Sequence, residues 1–108
     1  MNHDTDPVAH IRPLELTTLD DVTRLVLREI QHADELARAG KFGGTHVIPG
    51  GPDSERLPKL VEEVGEVATA MNEIGFGNGT REVDLLDELI DTAALATGWA
   101  AAILERRP

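Results

Sequence analysis

Cysteine is absent from this 108-residue chain, which excludes disulfide staples, thiolate metal sites and cysteine nucleophiles. Aromatic side chains are scarce: Phe42, Phe76 and Trp99 stand alone, with no tyrosine. Any core must therefore be built from Leu, Val, Ile and Ala. Basic residues number 10 against 20 acidic ones, a formal net charge of −10, which argues against a nucleic-acid polymer as partner because phosphate binding needs clustered Lys and Arg. No apolar run approaches the roughly 18 residues of a membrane span. Met1-Asn2-His3-Asp4 has neither the basic nor the apolar region of a signal peptide. Together these absences predict a soluble, cytoplasmic protein with no nucleic-acid or membrane partner.

What the chain does have is helix-forming composition. Ala, Leu, Glu and Asp are abundant, β-branched alternation is nearly missing, and the length suits one domain. Residues 1–16 carry two prolines and no sustained period, so they read as an extended N-terminal arm before a helical domain over 17–108. Thr17 or Thr18 is placed to cap a first helix with Leu19, Val22, Val26, Ile30 and Ala33 on its apolar face and Gly40 as its stop. A Gly/Pro-rich connection over 40–54 follows, of the kind used for lids and binding loops. The second helix is expected to start between Ser54 and Pro58 and to stop at Gly75. Thr80 is placed to cap the third, with Glu82 and Asp84 in its first turn and Arg106 near its end.

Two acidic pairs dominate this pattern: Glu63-x-x-Glu66 on the second helix and Glu88-x-x-Asp91 on the third. Spacing of (i, i+3) stacks each pair on one helix face. Four carboxylates converging without thiol or imidazole would suit a hard cation, Mg²⁺ above all, with Mn²⁺ as substitute. At 100° per residue, each pair borders an apolar stripe: Leu60, Val64, Val67 and Met71 beside the first, Leu85, Leu89, Thr92 and Ala96 beside the second. If the stripes pack together, the pairs meet at the rim of the core. A solvated acidic face is the simpler reading, but exposed helices usually offset Glu with Lys or Arg at i+4. Here Glu62/Glu66, Asp84/Glu88 and Asp87/Asp91 are like-charged neighbours at that spacing. From Lys59 to Asp91 nine acids face two bases, a net charge of −7. A divalent cation resolves that self-repulsion.

The segment KLVEEVGEVATAM (59–71) followed by DELIDTA (87–93) resembles the MazG-type all-α nucleoside triphosphate pyrophosphohydrolases. Their ExxE–spacer–ExxD motif is matched by Glu63, Glu66, Glu88 and Asp91, with twenty-one residues (67–87) between the pairs. The resemblance spans about residues 55–105. It implies Mg²⁺-dependent cleavage of a (d)NTP between the α and β phosphates, giving (d)NMP and pyrophosphate, as in sanitation of a nucleotide pool. The four motif carboxylates are the implied metal ligands. Glu63 and Glu62 are the catalytic candidates, Glu62 as water-activating base or as support to a ligand. Lys59, Lys41 and Arg81 are the substrate-binding candidates, and Arg28, Arg38 or a second subunit are further sources of positive charge.

Gly65 costs roughly 1 kcal/mol against Ala within a helix, which predicts close approach of a neighbouring helix or of substrate. Trp99 reads as a core or subunit contact rather than a base-stacking platform, and His46 as a solvated loop residue. The GGTHVIPGG stretch lacks the Gly-Lys-Ser/Thr ending of a P-loop, and the absence of Glu-x-x-His pairs argues against a di-iron bundle. Three helices with such small apolar faces make a thin core. The predicted architecture is therefore an all-α antiparallel helical bundle, completed by oligomerisation as a homodimer or homotetramer. The rival functional class is a catalytically idle acidic module that binds a basic protein partner.

Overall fold

Three stretches with helical apolar spacing, separated by glycine and proline, fold as three helices. The computed structural model describes residues 13–40, 52–76 and 82–106; among these it contains α1 (Leu16–Arg38), α2 (Asp53–Phe76) and α3 (Glu82–Glu105), and no strand. The class is all-α. Most of the expected N-terminal arm, the 41–51 connection with Lys41 and His46, and the 77–81 turn with Thr80 and Arg81 lie outside the described residues.

The helix ends follow local chemistry, with two corrections. Neither Thr17 nor Thr18 caps α1. Glu15 is its N-cap, in extended backbone (φ −80°, ψ 140°) and without a side-chain capping bond. Its carbonyl accepts the first helical hydrogen bond from the Leu19 N–H at 3.1 Å, so the helix starts before either threonine. At the other end Gly40 adopts φ +68°, and its N–H donates to the Ala37 carbonyl at 3.1 Å. This left-handed stop is the one glycine favours.

The second correction is at α2, which begins at Asp53, so Pro58 sits inside the helix rather than in its first turn. Proline there leaves the Ser54 carbonyl without its i+4 donor. The added turn is tied down from α3: the Asp53 carboxylate accepts from Trp99 Nε1 at 2.9 Å and from an Arg106 guanidinium nitrogen at 3.0 Å. Trp99 is thus a tether between helix ends, and Arg106 an ion-pair partner.

α3 is the middle element. It packs on both α1 and α2, whereas α1 and α2 do not approach each other within 8 Å, Cα to Cα. The Asp53 contacts join the start of α2 to the end of α3, so these two run antiparallel. Leu25 and Glu29 share a groove with Asp87 and Asp91, and Ile30 and Arg38 share one with Gly98 and Glu105. α1 and α3 therefore run parallel, in an up-down-up order.

The core lies between α1 and α3, where Val26, Ile90 and Ala94 are buried and Ile30 and Ala93 pack against them. Leu19 and Val22, expected on the same inward face of α1, stay exposed.

Between α2 and α3 the expected register of faces is corrected. Val64 and Met71 are more than half exposed (52% and 55%), although Leu60 and Val67 are half-buried. The buried residues of α2 are Arg56, Glu63 and Ala70, seven apart and so on one face. The inward face is rotated by roughly 60° from the apolar stripe toward the carboxylates, at 100° per residue. Glu63 is therefore central to the contact rather than at its rim. Gly65 sits away from it, and a Cβ there would meet nothing within 4 Å; close approach of a helix of this chain does not explain that glycine.

Candidate metal centre

Because Glu63 faces α3 squarely, its carboxylate meets the (i, i+3) pair that α3 presents. One carboxylate oxygen from each of Glu63, Glu88 and Asp91 lies within 4.8 Å of the others. Two oxygens on opposite sides of one Mg²⁺ stand about 4.2 Å apart, and for a larger hard cation about 5 Å, from metal–oxygen bonds of about 2.1 Å and 2.3–2.6 Å. The triad has the size and the donor chemistry for one such ion. Glu63 is only 9% exposed. Its Oε2 and the Oε2 of Glu88 are buried without a hydrogen-bond donor. Desolvated carboxylate oxygens without a partner are costly, and a cation between them would satisfy both at once.

Protonation reports the same crowding. Burial pushes the Glu63 carboxyl from 4.5 to about 7; the charge and hydrogen-bonding proximity of Glu66 push the same way, and Lys59 opposes them. Glu88 is raised by burial, then by Glu66, Asp91 and Asp87. Asp91 is raised by burial, then by the charges of Glu29, Asp87 and Glu66. Carboxyls raised by burial and by like-charged neighbours hold their protons more tightly, and a cation that binds there competes with those protons.

The structure brings together three of the four motif carboxylates in the triad. Glu66 is exposed and outside the set of converging oxygens, yet close enough to Glu63 and Glu88 to raise both. Together with Glu88, Glu73 and Asp84 it lines an adjoining α2/α3 groove of ≈ 300 Å³. Glu62 does not join the cluster: its carboxylate points outward and lies 3.4 Å from Lys59 Nζ. Lys59 also stands 3.6 Å from the Glu63 Oε1, so it is engaged by the acidic helix itself. Lys41 and Arg81 lie outside the described residues.

Sequence reasoning missed Glu29. From α1 it is the largest charge acting on Asp91, and it shares a groove with Asp91 and Asp87. A signal existed: Glu29 borders the Val22–Val26–Ile30 stripe of α1 just as the two motif pairs border theirs. Comparison with protein-family models, curated proteins and solved structures finds no match. The arrangement itself offers a compact, oxygen-only, partly dehydrated anionic site. That donor set suits a hard divalent cation.

Proposed function

We propose that this chain is a Mg²⁺-dependent nucleoside triphosphate pyrophosphohydrolase of the MazG type, cleaving a (d)NTP between the α and β phosphates to (d)NMP and pyrophosphate. The observation that carries the reading is the meeting of Glu63, Glu88 and Asp91 across two helices, with two buried carboxylate oxygens lacking donors. Glu63, Glu88 and Asp91 would hold the ion, and Glu66 would complete the set from the solvent side. Mg²⁺, or Mn²⁺ in its place, supplies charge neutralisation along the phosphates and a polarised water. A Glu66 oxygen not bound to the ion would be the better-placed proton acceptor for that water, since Glu66 lies beside Glu63 and Glu88 and is exposed. Glu62 would have to leave Lys59 first. Burial of Glu63 keeps bulk water from its carboxylate.

A homodimer or homotetramer is part of this proposal. The buried hydrophobic residues among those described are Val26, Ala70, Ile90, Ala94 and Ala102 alone, while Leu57, Val61, Val64 and Met71 on α2 are exposed. A second subunit would cover them. Light scattering tests this part, and a monomer with intact activity would remove it.

The functional test is pyrophosphate release from a panel of (d)NTPs with Mg²⁺ or Mn²⁺. Activity that disappears in Glu66→Ala and Asp91→Ala supports the assignment. Activity surviving both would sink the metal site, and no turnover of any nucleotide would favour the idle acidic module.

A further inference from the structure

Two grooves flank the carboxylate cluster, and their charges differ. The α2/α3 groove is lined by Glu66, Glu73, Asp84 and Glu88 with Thr69 and Ala70, and no cation. The α1/α3 groove, ≈ 200 Å³, is lined by Leu25, Arg28, Glu29, Asp87, Ile90 and Asp91. Asp91 belongs to both the cluster and this second groove. A ligand held by an ion at Asp91 would therefore share a groove with Arg28.

Arg28 stands apart from the other described basic residues. Arg24 pairs with Asp21, Arg38 with Asp34, Lys59 with Glu62 and Glu63, and Arg106 with Asp53, while Arg56 is buried close to the charges of Asp53 and Arg106. Among the described residues, no carboxylate pairs with Arg28. The sequence explains why: its i±3 and i±4 neighbours on α1 are Arg24, Leu25, Gln31 and His32, so its own helix offers no acid at those spacings. Among the described residues of a chain with twice as many acids as bases, Arg28 thus has no acidic partner, and it lines the groove that Asp91 shares with the cluster.

We infer that Arg28 binds the terminal phosphates of the triphosphate, so that the leaving pyrophosphate lies along the α1/α3 groove and the nucleoside points away from it. This rests on the pyrophosphohydrolase reading. The physical reason is charge: the terminal phosphate is the most anionic part of the substrate, and a guanidinium offers a planar fork of donors for its oxygens. The Glu29 and Asp87 carboxylates would repel a bare phosphate, so the binding depends on the metal.

Isothermal titration with Mg²⁺ alone, and then with Mg²⁺ plus inorganic pyrophosphate, tests the inference on wild type, Arg28→Ala, Arg28→Lys and Arg24→Ala. The expected result is Mg²⁺ affinity unchanged in all four. Pyrophosphate affinity falls about 10-fold or more in Arg28→Ala, recovers partly in Arg28→Lys and is retained in Arg24→Ala, as for loss of one charge-assisted contact. Without Mg²⁺, pyrophosphate should not bind. If wild type binds Mg²⁺ but Arg28→Ala holds pyrophosphate as tightly as wild type, or wild type does not hold it at all, the role of Arg28 is overturned and the metal site stands. If wild type binds no Mg²⁺, the functional reading fails and this inference with it.

Discussion

The two sides of α3 are built on opposite principles. Toward α1 it presents Ile90 and Ala94, which bury against Val26; toward α2 it presents Glu88 and Asp91, which meet Glu63. The first contact stabilises by removing apolar surface from water. The second gathers like charges in a partly dehydrated space, which costs stability until a cation is supplied. A single helix thus carries the small core toward α1 and the carboxylate triad toward α2, with Asp91 reaching the α1/α3 groove as well. Residues that look equally inward by period have opposite energetic signs.

The sharpest break in that comparison is expected on the carboxylate side. Asp91→Ala or Glu63→Gln should lower Mg²⁺-dependent pyrophosphate release by about 10³-fold, roughly 4 kcal/mol of barrier, with the fold retained by circular dichroism. A loss below tenfold in both would mean that the triad does not hold the ion.

The pH dependence of stability comes next. Glu63 titrates at about 7 in the fold against an ordinary 4.5. Between those values the folded chain holds a proton that the unfolded chain has released, so stability should fall as pH rises through that window. The loss is complete above about 7, and its upper limit is roughly 3 kcal/mol. Glu88 and Asp91, also raised, act in the same direction. Urea midpoints in EDTA should therefore drop from pH 5 to pH 8, Mg²⁺ should flatten the drop, and Glu63→Gln should remove most of it. A midpoint that rises over this range would contradict the buried-carboxylate account.

On the apolar side, Ile90→Ala should cost about 2–3 kcal/mol of stability in urea unfolding, independent of Mg²⁺. Dependence on Mg²⁺ would show that the two sides are coupled through α3. The smallest effect belongs to the tether. Asp53→Ala removes contacts to Trp99 and Arg106, but both charged partners are about half exposed, so about 1 kcal/mol or less is expected. Faster hydrogen exchange in the first turns of α2 is the measurement to make.

Much of the secondary structure could be read directly from residues. Gly40 stops α1 because glycine takes the left-handed turn without strain, and Glu82 and Asp84 open α3 where the dipole favours anions. The Thr17/Thr18 cap failed because the extended Glu15 backbone starts the helix first. The pairing of Glu63 with Glu88 and Asp91 was legible from spacing, and Glu29 would have been had α1 been read by the same rule. The outward turn of Val64 and Met71 was not, since periodicity locates an apolar stripe but not what it packs on.

The division follows the range of the forces. Caps, breakers, helical period and the (i, i+3) stacking of carboxylates act within one helix, so the residues alone decided that this chain is all-α and carries two acidic faces. Which oxygens converge, which groove holds Arg28, and which apolar residues remain uncovered depend on the rotation of α2 and α1 about their axes against α3. That rotation is set by contacts between residues some tens of positions apart, Asp53 with Arg106 and Val26 with Ile90 among them, and it exists only once the chain has folded.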